Sequence, residues 1–352
     1  MHYFIYADKD TTIYHSSQSR QYAGVYDNEQ NTGLDSVIEL QSSVPPSVTS
    51  KATSRMLVSF DLTTSESTGS KYYLRLYDCH SEGIALTQNI NAHRLTSDWE
   101  MGLGRYHDTP FVTDGATWDW ADVSGSVSWV GGSYSNDYVA SQSLEFKTTD
   151  LKLDVSDIVK KNWIEASDGN YGFLLKRPNT EETNSVGYGS LKFFSRDTNT
   201  IYPPKLEVCI DDFSWDIGIT GSYTALPEDD YTVYMKNYDS EFKEGAKVRF
   251  RVLGRSKHHV ASNVPGQNKS FTKYYLPSGS SYYSIKDTVT EETLIDFDEY
   301  TTLSGDSNGN YFDVNMNGLQ PERYYRFVFK VVDPTTKLTK FFDRDFTFKV
   351  VR

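Results

Sequence analysis

The chain contains seven histidines, and imidazole is the side chain most suited to acid–base catalysis and metal binding near neutral pH. They are scattered along the chain, and none belongs to a His-Glu-x-x-His or Cys/His zinc pattern. The chain also lacks a Gly-x-x-x-x-Gly-Lys phosphate loop. We therefore expect no catalytic residue, no cofactor and no enzymatic activity.

Carboxylates are abundant, with 48 Asp and Glu residues, and clustered carboxylates can bind Ca²⁺, which prefers hard oxygen ligands. Asp114, Asp119 and Asp122 form one such group, although surface acids in an acidic domain are the simpler interpretation. The stretch that starts at Asp306 begins like an EF-hand loop, but Tyr311 stands where that loop needs glycine. A tight hairpin is the better interpretation there, and no metal site is predicted.

Four of the six tryptophans fall within residues 99–134, where they alternate with glycines. Trp118 and Trp120 share one parity, so in an extended segment both indoles would face one side and could stack on a sugar ring. These two are the candidate ligand-binding residues. The alternative, which we favour, is that the tryptophans hold a long loop against the protein body.

The stretch Gly254–Lys273 contains four Lys and Arg residues and no acid, whereas the whole chain carries a net charge of −13. Arg255, Lys257 and Lys269 are therefore the candidate residues for docking to an acidic face of a neighbouring copy or of another partner. The alternative is a solvated loop, because Asn, Pro and Gly residues cluster in the same stretch.

Period-2 alternation of apolar and polar residues dominates the chain and predicts short β-strands. Met56–Leu62 and Tyr325–Val331 are clear examples, and Gly, Ser, Asn and Asp clusters separate such runs. One short helix is expected at Ser156–Trp163, with Ser156 as its N-cap and Trp163 as a core residue. Many strands and almost no helix predict an all-β protein built from sandwiches or barrels.

The length of 352 residues corresponds to about two domains. Residues 1–212 carry a net charge of −12, whereas residues 213–352 carry −1. Together with Pro203-Pro204 and the polar stretch that follows, this change places the boundary between residues 212 and 225. We therefore expect one domain at 1–212, able to fold alone, and a second at 225–352.

The acidic balance argues against nucleic acid as a partner, because phosphate binders carry a basic surface. No run approaches the roughly 18 apolar residues of a membrane span. Met1–Ala7 lacks the features of a signal peptide and is expected to form the first strand, so we expect the chain to fold in a cytoplasm. Cys79 and Cys209 should then be unpaired thiols that lie off the apolar faces of their strands.

A series of motifs follows a particular order through most of residues 1–210. Asp10–Tyr14 precedes Asn31-Thr32-Gly33, and a Leu-Val-x-Phe-Asp-Leu strand follows at 57–62. A loop of the form Trp-x-x-Gly-x-Gly, Gly-x-Thr-Trp and Trp-x-Gly-Gly then leads to strand-like motifs at 153–159, 170–176, 193–197 and 203–208. In this order the motifs resemble the jelly-roll domain of the DNRLRE type, a carbohydrate-binding-module-like β-sandwich family. The resemblance implies an N-terminal jelly-roll β-sandwich, and related modules bind polysaccharides.

The second half of the chain resembles two other groups. Leu319–Tyr325 has the Leu-x-Pro-x-x-x-Tyr spacing of fibronectin-type-III sandwiches, in which the tyrosine hydroxyl turns back to the backbone at a strand corner. This likeness implies a C-terminal fibronectin- or Ig-like β-sandwich with Tyr325 as the corner tyrosine. Residues 280–325 and the final Phe348–Arg352 are also similar to C-terminal segments of structural proteins from contractile-tailed phages of marine bacteria.

The resemblances together imply a non-enzymatic virion structural protein of a tailed phage, placed in the tail, neck or baseplate or as a decoration. Its partners would be other virion proteins, with multiple copies in a symmetric ring, and it would be made in the host cytoplasm and not secreted. The alternative is a carbohydrate-binding module that mediates attachment to host surface glycans. Neither nucleic acid nor a membrane is an expected partner.

Overall fold

The computed structural model describes residues 1–15, 26–44, 51–63, 69–84, 87–106, 112, 114–145, 150–216, 226, 231–236, 238–258 and 273–352. Within these residues the protein is almost entirely antiparallel β-structure, so the all-β prediction is confirmed. The helices found there are too short and too polar to span a membrane.

The described residues form twenty-three strands, which we number in chain order. They are β1 His2–Tyr6, β2 Lys9–His15, β3 Val37–Ser43, β4 Ala52–Ser59, β5 Lys71–Leu76, β6 Gln88–Arg94, β7 Trp120–Asp122, β8 Val127–Ser128, β9 Ala140–Leu144, β10 Leu151–Asp154, β11 Phe173–Lys176, β12 Gly189–Phe194, β13 Lys205–Cys209, β14 Tyr231–Lys236, β15 Glu241–Lys243, β16 Lys247–Ser256, β17 Lys273–Tyr274, β18 Ser281–Asp287, β19 Thr293–Ile295, β20 Ser304–Asp306, β21 Gly309–Asn315, β22 Tyr324–Val332 and β23 Thr339–Val351.

Five short helical segments lie among the described residues. They are 3₁₀ turns at Asp27–Glu29, Glu299–Thr301 and Met316–Gly318, a π-helix at Ile158–Glu165, and the α-helix α1 at Asn179–Thr183. The π-helix confirms that a helix lies near the expected position, and Trp163 is 9% exposed, as expected of a core residue.

The predicted N-cap of that helix is wrong. The Ser156 hydroxyl donates to the Asp154 carboxylate at 2.5 Å and accepts the backbone N–H of Tyr72 at 2.9 Å. The serine side chain is therefore engaged with β10 and β5, and it does not cap the helix, whose flanking residue Asp157 also makes no side-chain cap bond. The helix is held instead by its buried side chains.

The chain divides into two compact units. The first unit is Phe4–Val208, and the second unit is Met1–Tyr3 together with Cys209–Arg352. The predicted boundary at 212–225 lies a few residues later in the chain, and residues 217–225 lie outside the described residues. The assignment of the two units to a jelly roll and a fibronectin-like sandwich stays a prediction.

In the first unit, one sheet has the strand order β1-β13-β5-β10, and the other has the order β12-β3-β4-β11-β6-β9, with β2 also paired to β4. In β3, Ile38 and Leu40 are fully buried while the residues between them are half-buried, as period-2 alternation requires. In β4, Met56, Leu57 and Val58 are all fully buried, so this central strand is covered on both faces.

In the second unit, one sheet has the order β14-β16-β21-β20, with β17 paired to β16, and the other has the order β15-β23-β22-β18-β19. Phenylalanine rings from both sheets meet in its core. Phe250 of β16 lies 5.4 Å from Phe312 of β21 and 4.8 Å from Phe327 of β22, measured between ring centroids. Phe327 lies 4.8 Å from Phe348 of β23. Apolar residues spaced by two therefore build this core.

Tyr325 makes the contact that defines a tyrosine corner. The residue is 1% exposed, and its hydroxyl donates to the backbone carbonyl of Gln320, five positions upstream, at 3.0 Å. The role that the Leu-x-Pro-x-x-x-Tyr spacing implies for Tyr325 is therefore confirmed in its geometry. The hydrogen bond fixes the start of β22 to the segment that leads into it.

The stretch from Asp306 to Asn310 is a tight hairpin, as predicted. Asp306 of β20 pairs with Gly309 of β21, and the Asp306 carboxylate accepts the backbone N–H of Asn308 at 2.8 Å. Arg251 holds the same carboxylate through two bonds of 2.8 and 2.9 Å. Both carboxylate oxygens of Asp306 therefore have protein donors, and these donors account for the position of the carboxylate without a bound cation.

The expectation that Cys209 lies off the apolar face of its strand is wrong, because the residue is fully buried. All five residues of β13 are buried, so alternation along this strand exposes neither face. In the second unit the Cys209 thiol lies 3.6 Å from Nδ1 of His2. Cys79 is half-buried, and neither cysteine forms a disulfide, as predicted.

Asp10 is a buried carboxyl group on β2 of the first unit. It is 1% exposed, and it accepts the backbone N–H of Arg196 at 2.6 Å. Within the described residues its Oδ1 has no hydrogen-bond partner. Burial raises the pKa of Asp10 to about 7, against the opposing effect of the Arg196 hydrogen bond. The acid is therefore protonated in the folded state over a pH range in which an exposed aspartate is ionised.

We expect Tyr325→Phe to lower the free energy of unfolding of the second unit by about 1 kcal/mol, because the Gln320 carbonyl loses its donor. Tyr324→Phe is the matched control, since Tyr324 is adjacent and 53% exposed. It should change stability by less than about 0.5 kcal/mol. Urea unfolding followed by circular dichroism measures both, and equal effects of the two substitutions would contradict the corner.

We expect Asp10 to make the stability of the first unit depend on pH. Its pKa is about 7 when folded and 3.8 as a model acid, so its contribution is complete below about pH 3.8 and is lost as the pH rises through 7. Between pH 5 and 7 the wild type should lose about 2 kcal/mol relative to Asp10→Asn. Chemical denaturation at several pH values measures this. Asp137→Asn, at an exposed position, should follow the wild type, and parallel curves for wild type and Asp10→Asn would refute the assignment.

Candidate functional site

The tryptophan-rich loop, residues 99–134, packs around the side chain of Asn31. Its Nδ2 donates to the carbonyls of Met101 at 2.7 Å and Ala116 at 3.0 Å, and its Oδ1 accepts the N–H of Gly104 at 2.9 Å. The same Oδ1 accepts the N–H of Gly33 at 3.2 Å. Asn31 is 2% exposed, so this one amide satisfies four backbone groups in a place that water does not reach.

Glycines surround this amide because there is no room for a side chain. A Cβ on Gly102 would lie 2.4 Å from Oδ1 of Asn31, and a Cβ on Gly115 would lie 2.5 Å from the Cα of Gly102. Both glycines also have positive φ, +76° and +66°, which other residues rarely adopt. Packing around Asn31 therefore explains the glycines of the Trp-x-x-Gly-x-Gly and Gly-x-Thr-Trp motifs without a ligand.

Three of the four loop tryptophans are buried. Trp99, Trp118 and Trp129 are 1%, 7% and 8% exposed, and they belong to one apolar cluster with Leu57 and Leu174 of the central strands. The indole N–H groups of Trp99 and Trp129 donate to backbone carbonyls at 2.9 and 2.8 Å. These indoles form a core between the loop and the sheet, which is the structural role that the sequence favours.

The condition under which Trp118 and Trp120 would face the same side is not met. Trp120 is 38% exposed, whereas Trp118 is 7% exposed. The strand β7 begins only at Trp120, so residues 117–121 are not one extended segment and parity does not apply to them. The two indoles therefore form no shared stacking platform, and only Trp120 retains substantial exposure.

A buried ion-pair network lies against the Trp118 ring. Arg55 donates to Glu182 at 3.1 and 2.8 Å, and Nζ of Lys176 lies 2.8 Å from the same carboxylate. The three side chains are 12%, 10% and 2% exposed, respectively. The Arg55 guanidinium lies 4.7 Å from the Trp118 ring and donates to the carbonyl of Gly131. Trp118 thus contacts a protein cation, and because only 7% of it is exposed, little of its ring is available to a sugar.

The acidic group near the loop does not converge on one point. Each carboxylate accepts a hydrogen bond from a different neighbour: Asp114 from Leu103 N at 3.1 Å, Asp119 from Asn28 Nδ2 at 2.7 Å, and Asp122 from Ser124 Oγ at 2.6 Å. Among the described residues, these three acids are not gathered within the 4.8 Å that shared metal ligands need. They stabilise turns and loop contacts.

A cavity of about 570 Å³ opens on the first unit, and its lining includes neither Trp118 nor Trp120. We call it the Asp61 cleft, and its lining includes Asp8, Lys9, Phe60, Asp61, Asp98, Trp163, Ile164, Asp168, Asn170 and Tyr171. Four aspartates and one lysine leave an excess of three negative charges. Trp163 and Phe60 are buried, whereas Ile164 is 46% exposed. The lining of the cleft therefore combines apolar side chains with carboxylates.

Sequence reasoning missed the Asp61 cleft because its lining comes from four segments that are distant in the chain. Asp98 accepts the ammonium of Lys9 at 3.2 Å yet is 67% exposed. The backbone N–H of Thr63 holds the pKa of the Asp61 carboxyl below its usual range. Asp168 lies 3.2 Å from a guanidinium nitrogen of Arg94. Local donors therefore hold these acids, and Lys9 and Arg94 offset two of the four negative charges.

The three predicted docking residues are placed as follows. Arg255 lies on β16, half-buried, where it pairs with Thr232 of β14 and Lys273 of β17. Lys257 follows the end of β16 and is exposed. Lys269 lies outside the described residues, as does most of the stretch Gly254–Lys273. The pairing of β16 with β17 holds the two ends of that stretch next to each other.

Two arrangements of residues resemble catalytic motifs but do not have the geometry or the accessibility that catalysis requires. Gly305–Gly309 reads Gly-x-Ser-x-Gly, but Ser307 lies in the turn between β20 and β21, whereas a nucleophile elbow joins a strand to a helix. His2 Nδ1 lies 3.6 Å from the Cys209 thiol and its Nε2 lies 3.3 Å from Asp298, a carboxylate–imidazole–thiol series. His2 and Cys209 are 2% and 0% exposed, so a substrate does not reach the thiol.

We expect Trp118→Ala to destabilise the first unit by about 3–5 kcal/mol, because it opens a cavity and leaves the Arg55 face uncovered. Trp120→Ala should cost about 1 kcal/mol, since this indole is already partly in water. Urea unfolding of both variants measures the difference. If Trp118→Ala left stability unchanged and abolished binding to a glycan, Trp118 would be a sugar-binding residue after all.

Comparisons with known proteins do not assign this chain to a family. A scan against protein-family models and a search of the curated proteins found no match to this chain. The resemblances to DNRLRE-type, fibronectin-type-III and phage structural proteins therefore rest on the motifs themselves.

Proposed function

We propose that this protein is a non-enzymatic structural component of a tailed phage particle, which works by docking to other particle proteins. The likeness of residues 280–325 to C-terminal segments of phage structural proteins supplies the setting. Its partners are other virion proteins, present with it in multiple copies in a symmetric ring, in the tail, neck or baseplate or as a decoration. The site of action is the virion, after folding in the host cytoplasm.

The observation that carries the proposal is the closure of the tryptophan-rich loop on the protein itself. In a carbohydrate-binding module, exposed indoles would stack on sugar rings. Here Trp99, Trp118 and Trp129 are buried, and Asn31 closes the loop around them. The loop therefore adds rigidity to the first unit, which is what a docking module needs. Carbohydrate binding to host surface glycans is the alternative function.

Fractionation of purified particles tests the proposal. We expect the protein to co-sediment with intact virions in a fixed copy number and to stay bound through a wash at high salt and through nuclease treatment. Quantitative mass spectrometry of the gradient fractions measures the ratio to the major capsid protein. A glycan array probed with the free protein provides the second arm. Absence from particles together with specific glycan binding would establish the alternative and refute the proposal.

A further inference from the structure

Lys176, Asn179 and Glu182 place an amine, a carboxamide and a carboxylate in mutual contact on the first unit. Nζ of Lys176 donates to Oδ1 of Asn179 at 2.5 Å, and it lies 2.8 Å from a carboxylate oxygen of Glu182. A C=O bond is about 1.2 Å long, so the carboxamide carbon of Asn179 lies within about 3.7 Å of the same nitrogen. That separation is close to the roughly 3–3.5 Å at which two reacting atoms are poised to form a bond.

The backbone between β11 and α1 holds these three groups together. Lys176 is the last residue of β11, and Pro178 turns the chain with an extended backbone, φ −53° and ψ 150°, into α1, which begins at Asn179. The backbone N–H groups of Glu181 and Glu182 both donate to the carbonyl of Pro178 at 2.9 Å. One local turn therefore fixes both the carboxamide and the carboxylate relative to the lysine.

The surroundings enclose the amine and leave the carboxamide open to solvent. The side chains of Lys176 and Glu182 are 2% and 10% exposed, and the Tyr134 ring covers the amine, with its centroid 5.3 Å from Nζ. Asn179 is exposed, so a group that leaves its side chain has a path to water. A buried ammonium costs more free energy than a buried amide, and conversion of this amine into an amide therefore removes an enclosed charge.

We propose that the folded chain joins Lys176 to Asn179 through an intramolecular isopeptide bond. Glu182 takes a proton from the Lys176 ammonium, and the neutral amine attacks the carboxamide carbon of Asn179. A bond forms between Nζ and that carbon, and the bond from the carbon to Nδ2 breaks. The leaving nitrogen takes one proton from the attacking amine and one from Glu182, so ammonium is released and Glu182 is ionised again. No atom changes its oxidation state, and the side chains in contact supply every group that the step needs.

A second lysine–asparagine contact beside the same helix provides an internal comparison. Nζ of Lys51 donates to Oδ1 of Asn184 at 3.3 Å and to the backbone carbonyl of Glu181 at 2.5 Å. A backbone carbonyl thus occupies the place that a carboxylate has at Lys176, and a carbonyl does not take the proton that the amine must lose before it attacks. We therefore expect Lys51 and Asn184 to remain unreacted.

The intact mass of the purified full chain tests the bond. Release of ammonia should leave the wild type about 17 Da lighter than its sequence, whereas Asn179→Ala and Lys176→Arg should each have the mass of their own sequence. Trypsin should not cleave after Lys176 in the wild type, because the amine is acylated, and it should still cleave after Lys51. Asn184→Ala is the matched control, and it should show the same loss of ammonia as the wild type.

Glu182→Gln tests the proton transfer. This variant keeps the shape of the side chain and should form the bond about a hundredfold more slowly, measured as the fraction of lighter protein over time. Formation at the wild-type rate would refute the role of Glu182. Circular dichroism checks that each variant is folded, and Asn179→Ala, at an exposed position, decides the bond itself even where a buried substitution disturbs the fold.

Two results would overturn the inference. A folded wild type that keeps the full mass of its sequence contains no such bond. Loss of ammonia with normal tryptic cleavage after Lys176 would mean that an asparagine had cyclised on its own backbone instead. The bond concerns the chemistry of the chain alone, so it stands or fails independently of whether the protein is found in virions.

Discussion

The amide of Asn31 is the interaction on which the architecture of the first unit depends. A loop as long as residues 99–134 carries many backbone groups, and those that are buried must find partners. Asn31 provides two donors and an acceptor at the one place where Met101, Gly104 and Ala116 meet. Once these segments are fixed, the indoles have a defined surface to cover. The polar contact determines the position of the loop, and the apolar contacts supply most of its stability.

The second unit is organised by different physics. Its core is a set of phenylalanine rings from two sheets, and several of these rings pack edge to face. Its polar constraint lies at the end of a strand, where the Tyr325 hydroxyl binds the Gln320 carbonyl. Alternation along the strands places these rings in the core, and the Tyr325 hydrogen bond fixes the start of β22. The first unit needs a buried amide because its loop has no comparable periodicity.

This contrast explains what the sequence predicts well and what it does not. Strands such as β3 and β22 follow from alternation, and the Tyr325 contact follows from a spacing within one short segment. Alternation does not predict the orientation of Trp118 and Trp120, because the backbone there is not extended. It does not predict the exposure of Cys209, because all five residues of that strand are buried. Those outcomes depend on neighbours that are distant in the chain. The Asp61 cleft is the extreme case, since no local pattern relates Asp61 to Trp163.

Burial divides the charges of the first unit into two groups with different consequences. Arg55, Lys176 and Glu182 are enclosed, so removing one of them leaves an uncompensated charge in a medium that screens poorly. The carboxylates of the Asp61 cleft are exposed, where a single pair contributes little to stability. Exposed charges of one sign nevertheless attract a complementary partner over about a Debye length. The enclosed network therefore contributes to folding, whereas the exposed carboxylates mainly set the charge of the surface. A substitution at Asp61 or Asp98 changes that surface charge and leaves the enclosed network intact.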